Sequence, residues 1–204
     1  GKRTGFDVEL VEAIAKTMGK QVEWVDIDFK GLIPGLISKR FDMAVSAIYI
    51  TDERKKVVDF TDSYYAGGLV VMVKADNKAI NKLADLDGKK VSVQVGTKSV
   101  SYLTEKFPKV QRVEVEKNQE MFNLVDVGRA DAAVTGKPAA FQYVRTRPGL
   151  RVLDEQLTTE EYGMALRKDT PELTKAVNGA ITKLKADGTY AAIVKKWFSN
   201  SAAK

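Results

Sequence analysis

The chain has 204 residues, 44% hydrophobic and 29% charged, and 33 Lys+Arg against 27 Asp+Glu leave a formal charge of +6. That length suits one large or two small globular domains, and no apolar run approaches the roughly 18 residues that a membrane-spanning helix needs. With His 0 and Cys 0, a Ser–His–Asp triad, a thiolate nucleophile, a disulfide and a His- or Cys-ligated metal centre are excluded, and no cofactor is expected.

Val11, Ile14, Ala15 and Met18 recur at helical spacing, with Asp7 placed as the N-cap and Gly19 as the stop. Residues 22–25 read as a short strand. Residues 31–38 suggest a helix whose Pro34 is tolerable only in its first turn. Residues 41–46 form a buried strand, 52–57 a helical turn or two, and 69–73 another buried strand. The second stretch repeats this grammar. Strands are expected at 90–95, 112–115, 132–134 and 162–166, and helices at 99–107, 118–127, 138–145, 171–187 and 190–197. Such βαβ order predicts an α/β fold with mostly parallel sheets covered on both faces. Two lobes joined by extended strands near 73–75 and 160–163 fit better than two separate beads: lobe 1 from 1–72 with 163–204, lobe 2 from 73–162.

The surplus of cationic residues is dispersed in pairs such as Lys39-Arg40, Lys89-Lys90 and Lys195-Lys196. A nucleic-acid surface would concentrate it on one stripe with interleaved aromatics, so nucleic acid is not expected as a partner. Gly96-Thr97-Lys98-Ser99 is reminiscent of a phosphate-binding loop, but Lys98 follows Thr97 rather than glycine, and Gly136-Lys137 runs into Pro138 with Asp131 upstream. The nucleotide reading fails. A strand-to-helix turn with a free helix N-terminus remains, suited to a carboxylate or serving simply as a connection. In Ile50-Thr-Asp-Glu-Arg-Lys-Lys, Thr51 can cap a helix that carries Arg54 just beyond a strand end, where open α/β sheets place ligands. A guanidinium offers a carboxylate two parallel donors, which lysine cannot.

Gly5-Phe-Asp-Val-Glu-Leu, Asp28-Phe-Lys-Gly-Leu-Ile-Pro-Gly-Leu, the Ile50 segment, Val58-Asp-Phe-Thr-Asp-Ser-Tyr-Tyr, Leu86-Asp-Gly-Lys, Gly128-Arg-Ala-Asp-Ala and Gly188-Thr-Tyr…Lys196-Trp-Phe occur in this order. The ordered set resembles the polar-amino-acid-binding proteins of bacterial ABC importers, glutamine-binding members most of all. The resemblance implies a two-lobed periplasmic-binding-protein type II fold with two crossover hinge strands. It also implies a non-enzymatic receptor in the periplasm or on the outer face of the cytoplasmic membrane, which closes on a polar amino acid or similar small carboxylate and hands it to an ABC permease. Carried over by position, Phe29 would stack on the ligand's aliphatic part, Ala47 would present a backbone group, Tyr49 a hydroxyl, and Arg54 would hold the α-carboxylate. From the other lobe, Gln94 would face the ligand side chain and Thr97, with its neighbour Gly96, would complete the carboxylate site. Thr135 and Gly136 would close over the α-ammonium.

Four departures qualify the likeness. Relatives commonly carry Asp where Gly136 stands, so the ligand is expected either to lack an α-amino group or to have it held by Thr135, backbone carbonyls and another acid. Tyr49 replaces a smaller hydroxyl residue, and Gln94 is neutral where some relatives carry Lys. Relatives also begin with a strand ahead of the Gly-Phe-Asp motif that lies centrally in the first sheet, and the polar 199–204 tail is too weakly β-forming to replace it. The chain is therefore expected to be truncated and weakened in binding. Its open sheet edges and apolar slab should be covered by a second copy, giving a homodimer or higher oligomer through exchange. The alternative reading is an enzyme on the same fold, similar to cyclohexadienyl dehydratases, with Glu160 or Glu161 as a candidate acid. Trp197 and Phe198 are expected to pack against the first lobe. Tyr64 and Tyr65 suit either the cleft mouth or the core.

Overall fold

Helix α1 (Phe6–Thr17) buries Phe6, Leu10, Val11 and Ile14 on one face and carries Asp7 and Glu9 in its first turn, where carboxylates suit the positive end of the helix dipole. The computed structural model describes residues 2–200. Gly5, not Asp7, is the N-cap residue, because Asp7 already lies inside the first turn and its side chain is engaged elsewhere. Gly19 stops the helix with φ +67°, a left-handed conformation that glycine takes without strain.

Two units emerge. One comprises the chain up to Ala66 with Glu160–Trp197; the other comprises Gly67–Thr159 and the residues from Phe198 onward. In the first unit α1 is followed by a 3-10 turn (Phe29–Gly31), α2 (Leu32–Ile37), β1 (Met43–Ala44), α3 (Asp52–Lys55), β2 (Asp59–Phe60) and β3 (Tyr65–Gly67). The second unit holds β4 (Leu69–Lys74), a 3-10 turn (Leu83–Leu86), β5 (Lys90–Gln94), α4 (Lys98–Lys106), β6 (Gln111–Val115), α5 (Asn118–Asp126), β7 (Ala132–Gly136), α6 (Lys137–Val144) and β8 (Leu150–Val152). The chain then returns through β9 (Glu160–Tyr162), which pairs with β3, to β10 (Ala165–Leu166), α7 (Pro171–Ala186) and α8 (Thr189–Trp197). Both crossings fall earlier than residues 72/73 and 162/163, since all of β4 pairs within the second unit's sheet. The 162–166 strand is broken at Gly163, where a Cβ would meet Ile50 Cγ1 at 2.7 Å and Phe60 Cδ1 at 2.8 Å.

The expectation of mostly parallel sheets needs correction. In the second unit the order is β6-β5-β7-β4-β8; β5 is parallel to β6 and β7, but β4 is antiparallel to β7 and β8. In the first, β10 lies antiparallel between β1 and β2. β4 and β10 enter their sheets directly from the crossings, so the helical crossover that forces parallel pairing does not apply to them. β4 shows how fully the second sheet is covered: Leu69, Val71 and Val73 join the core on one face, while Val70 and Met72 join the core on the other. That period-two split is why this strand reads as one continuous apolar run. Ser92 on β5 is fully buried and donates its hydroxyl to the Met121 carbonyl at 2.9 Å, which removes the cost of a buried hydroxyl.

The predicted strand at 22–25 does not form. Its burial alternates as a strand's would, with Val22 and Trp24 half-buried and Glu23 and Val25 exposed. Yet among the described residues no backbone group of 21–27 makes a hydrogen bond. A strand needs a neighbour, and among the described residues β1 pairs only with β10. Between this segment, α1, α7 and β1 lies an apolar groove of about 350 Å³, lined by Val11, Ile14, Trp24, Phe41, Met43 and Val177 among others. Phe198 packs edge-on against Phe141, ring centroids 5.7 Å apart, within the second unit. That corrects its expected place on the first lobe; Trp197 does belong to the first unit. Residues 201–204 of the polar tail lie outside the described residues.

Candidate functional site

The first unit gathers Phe29, Tyr49 and Arg54. Thr51 caps α3 as its sequence position predicts: the hydroxyl accepts from the Arg54 amide at 3.2 Å. The cap starts the short helix so that the half-buried Arg54 turns back over the preceding segment. There Nη1 donates to the Tyr49 carbonyl at 2.8 Å, and the guanidinium lies 5.8 Å from the centre of the Phe29 ring. Phe29 is 52% exposed, an open phenyl face beside a cation. One guanidinium nitrogen is fixed by backbone, which leaves the rest of a planar, always-charged donor set for an anion. Tyr49 is held by its own stacking: its ring lies 5.6 Å from that of Tyr162 at an interplanar angle of 4°, and the two residues form a β-bridge. Burial raises the Tyr49 phenol above its ordinary value, Glu160 adds to the rise and Arg54 opposes it, so the hydroxyl is protonated and able to donate.

Ala47 stands in a left-handed conformation, φ +48°. Its N–H donates to Asp7 Oδ2 at 2.9 Å, and among the described residues nothing donates to its carbonyl. The backbone group that Ala47 can offer a ligand is therefore an acceptor. Asp7 also accepts from the Tyr64 hydroxyl at 2.9 Å. Tyr64 is fully buried, so of its two expected settings the core is the right one. Nothing in the spacing of residues marks the Asp7 contact, because Ala47 lies forty positions away in sequence.

The second unit gathers the remaining predicted residues at one end of its sheet. Gln94 ends β5 and Thr135-Gly136 end β7, the neighbouring parallel strand; carboxyl ends of parallel strands are where α/β sheets hold ligands. Gly96 turns the chain with φ +71°. Thr97 is the N-cap residue of α4, but its hydroxyl donates to the Gln94 carbonyl at 2.8 Å and accepts from no amide of the helix. The Gln94 amide donates to the Glu116 carbonyl at 3.0 Å, which fixes the side chain. Gly136 is the N-cap residue of α6 with ordinary φ −63°, and a Cβ there would meet nothing within 4 Å. Its missing side chain is thus not required by the backbone. Next to it Lys137 bonds Gln156 at 2.8 Å and lies over the Phe141 and Phe198 rings, and burial lowers its pKa. Thr135 is almost wholly buried. Among the described residues no cluster of acids could hold a metal ion, and no helix is long and apolar enough to cross a membrane.

Residues 1–200 match the family described as bacterial extracellular solute-binding proteins, family 3. The chain belongs to that family. Its relatives include the L-cystine-binding protein TcyJ of Escherichia coli (strain K12), 36% identical over all of this chain and 77% of that protein. The ABC transporter glutamine-binding protein GlnH of Bacillus subtilis (strain 168) is 32% identical over all of this chain and 76% of its own length, so identity does not single out glutamine-binding members. Among solved structures, the ancestral cationic amino acid solute-binding protein AncCDT-1 superposes with a TM-score of 0.89 at 42% identity, covering 98% of this chain and 87% of that one. A second structure of AncCDT-1, described as a precursor of cyclohexadienyl dehydratase, gives 0.75 at the same identity and coverage. As a member of this family the chain is an extracytoplasmic solute-binding receptor with the type II periplasmic-binding-protein fold.

Proposed function

We propose that the solute is a polar amino acid or a closely similar small carboxylate, that the receptor hands it to an ABC permease at the outer face of the cytoplasmic membrane or in the periplasm, and that capture proceeds by lobe closure. Arg54 grips the α-carboxylate, Phe29 lies under the aliphatic part, and the Tyr49 hydroxyl donates to a polar group. Gln94, Gly96 and Thr97 supply the other lobe's contacts. The observation that supports this most is the Arg54 guanidinium, tied by one nitrogen to the Tyr49 carbonyl over an open phenyl ring. Closure would bring the two half-sites to one ligand and shield the ion pair from water. With Gly136 uncharged, an α-ammonium would fall to acceptors such as the Ala47 carbonyl and Thr135. Calorimetric titration with the standard amino acids, L-cystine and small aliphatic carboxylic acids is expected to give one preferred ligand at one site per chain; heats of dilution throughout would contradict the reading.

The chain's role is to bind and release without chemical change. The dehydratase-related neighbour supports the second reading, an enzyme on this fold. Against it, Glu161 accepts the Ser63 hydroxyl, and its backbone carbonyl accepts the Ile50 amide at 2.9 Å, which are structural tasks.

The unpaired 21–27 segment and its groove support a further part of the proposal, that a second copy covers this edge. The same edge in two copies can pair antiparallel about a two-fold axis, so no other partner is needed. Light scattering at micromolar concentration is expected to report a dimer or larger; a well-folded monomer would contradict it.

A further inference from the structure

We infer that Asp7 is a positioning residue for the first half-site, holding the Ser46–Tyr49 segment in the form that presents the Ala47 carbonyl and the Tyr49 side chain. The inference rests on the proposed role of that segment in binding.

Ala47 is one of two non-glycine residues with positive φ among those described, and a left-handed alanine costs about 1–2 kcal/mol. Such a conformation persists only where its surroundings over-determine it. Here the restraint is a charge-assisted bond, the Ala47 N–H donating to Asp7 Oδ2 at 2.9 Å. The restraint is itself anchored. Asp7 sits in the first turn of α1, and Oδ1 accepts the Tyr64 hydroxyl at 2.9 Å. Tyr64 is fully buried, its amide donates to the Tyr162 carbonyl at 2.9 Å, and its carbonyl accepts the Tyr190 hydroxyl. Tyr162 in turn carries the Tyr49 ring. One carboxylate thus joins the start of α1, the buried tyrosines and the turn that leads into Tyr49 and Arg54. No charged side chain neutralises Asp7 among the ion pairs of the described residues. Its two oxygens are committed to positioning, one on each donor, and a carboxylate so placed is not required merely to fill space.

The role predicts a specific pattern in a double-mutant cycle. Asp7→Ala should weaken binding of whichever of L-cystine, L-arginine and L-glutamine the native chain takes, by about tenfold or more, since it frees a strained turn and leaves the Tyr64 hydroxyl without its acceptor. Ala47→Gly removes the strain that the Asp7 bond holds in place, because glycine enters φ > 0 freely. Adding Ala47→Gly to Asp7→Ala should recover part of the loss. Asp7→Asn keeps an acceptor for the Ala47 amide and should bind better than Asp7→Ala. A readout independent of any ligand is the amide proton shift of Ala47, expected downfield in the native chain and moved upfield in Asp7→Ala. If Asp7→Ala lowers the melting temperature but leaves affinity and the Ala47 amide shift unchanged, the inference is overturned, even where Arg54 variants have lost binding. If Arg54 variants bind normally, the underlying site reading fails instead, while the Ala47 shift still reports on Asp7.

Discussion

Gly136 is the residue at which the proposed site is easiest to alter. The backbone there is ordinary and a side chain would have open space, while aspartate is as good an N-cap for α6 as any residue and differs from glycine by only a few tenths of a kcal/mol. Gly136→Asp is therefore expected to fold normally. It should raise affinity for a ligand with an α-ammonium by about tenfold or more through a new ion pair. An intact fold with equal or weaker binding in calorimetry would mean that the ammonium does not reach this position. Asp7 offers a second residue-scale test through pH. Burial raises its carboxyl above the usual range, against the lowering effect of the bonds from Tyr64 and Ala47. A raised folded-state value means the folded chain holds this proton more tightly than the unfolded chain, so Asp7's contribution to stability falls as pH rises through that interval and returns as pH drops. The Tyr64 phenol facing it is itself pushed well up by burial and stays protonated throughout. Denaturation of the native chain and of Asp7→Asn should show the native chain gaining relative stability as the pH is lowered from neutral toward the ordinary carboxylate range; a flat or opposite trend contradicts this.

At the scale of elements, much was legible where the cause is local. The Thr51 cap, the proline opening of α6 and the apolar run of β4 each follow from short-range chemistry, and each stands where the sequence places it. Residues 22–25 were misread because strandness belongs to a pair: the alternation of burial is present, but no neighbour supplies hydrogen bonds. The direction of β4 and β10 was likewise hidden, since it depends on where the chain crosses. Asp7 read as a cap for a similar reason, its real partners lying forty and fifty-seven positions away. The Thr51 cap gives a test at this scale. Thr51→Ala should cost about 1 kcal/mol of stability, measured by urea titration, and should also weaken ligand binding because α3 carries Arg54. A stability loss with unchanged affinity would show that the cap does not orient the guanidinium.

For the whole molecule, family membership follows from a match over residues 1–200, and the ordered motifs that pointed to it are scattered from Gly5 to Phe198. None is decisive alone; their order is. Receptor and enzyme share this fold, so fold does not separate them and the site must. Incubation with prephenate or arogenate is expected to leave both unchanged, and product formation abolished by Glu160→Gln or Glu161→Gln would establish the enzymatic reading. The central claim is the grip of Arg54 on a carboxylate. It is tested most directly by calorimetry of the native chain and Arg54→Ala with the preferred amino acid and with its α-carboxamide. Loss of a desolvated, hydrogen-bonded charge pair costs about 2–5 kcal/mol, or at least about 30-fold in affinity. The account predicts that loss on changing either partner, with little more on changing both. Arg54→Ala binding the acid as tightly as the native chain would contradict it.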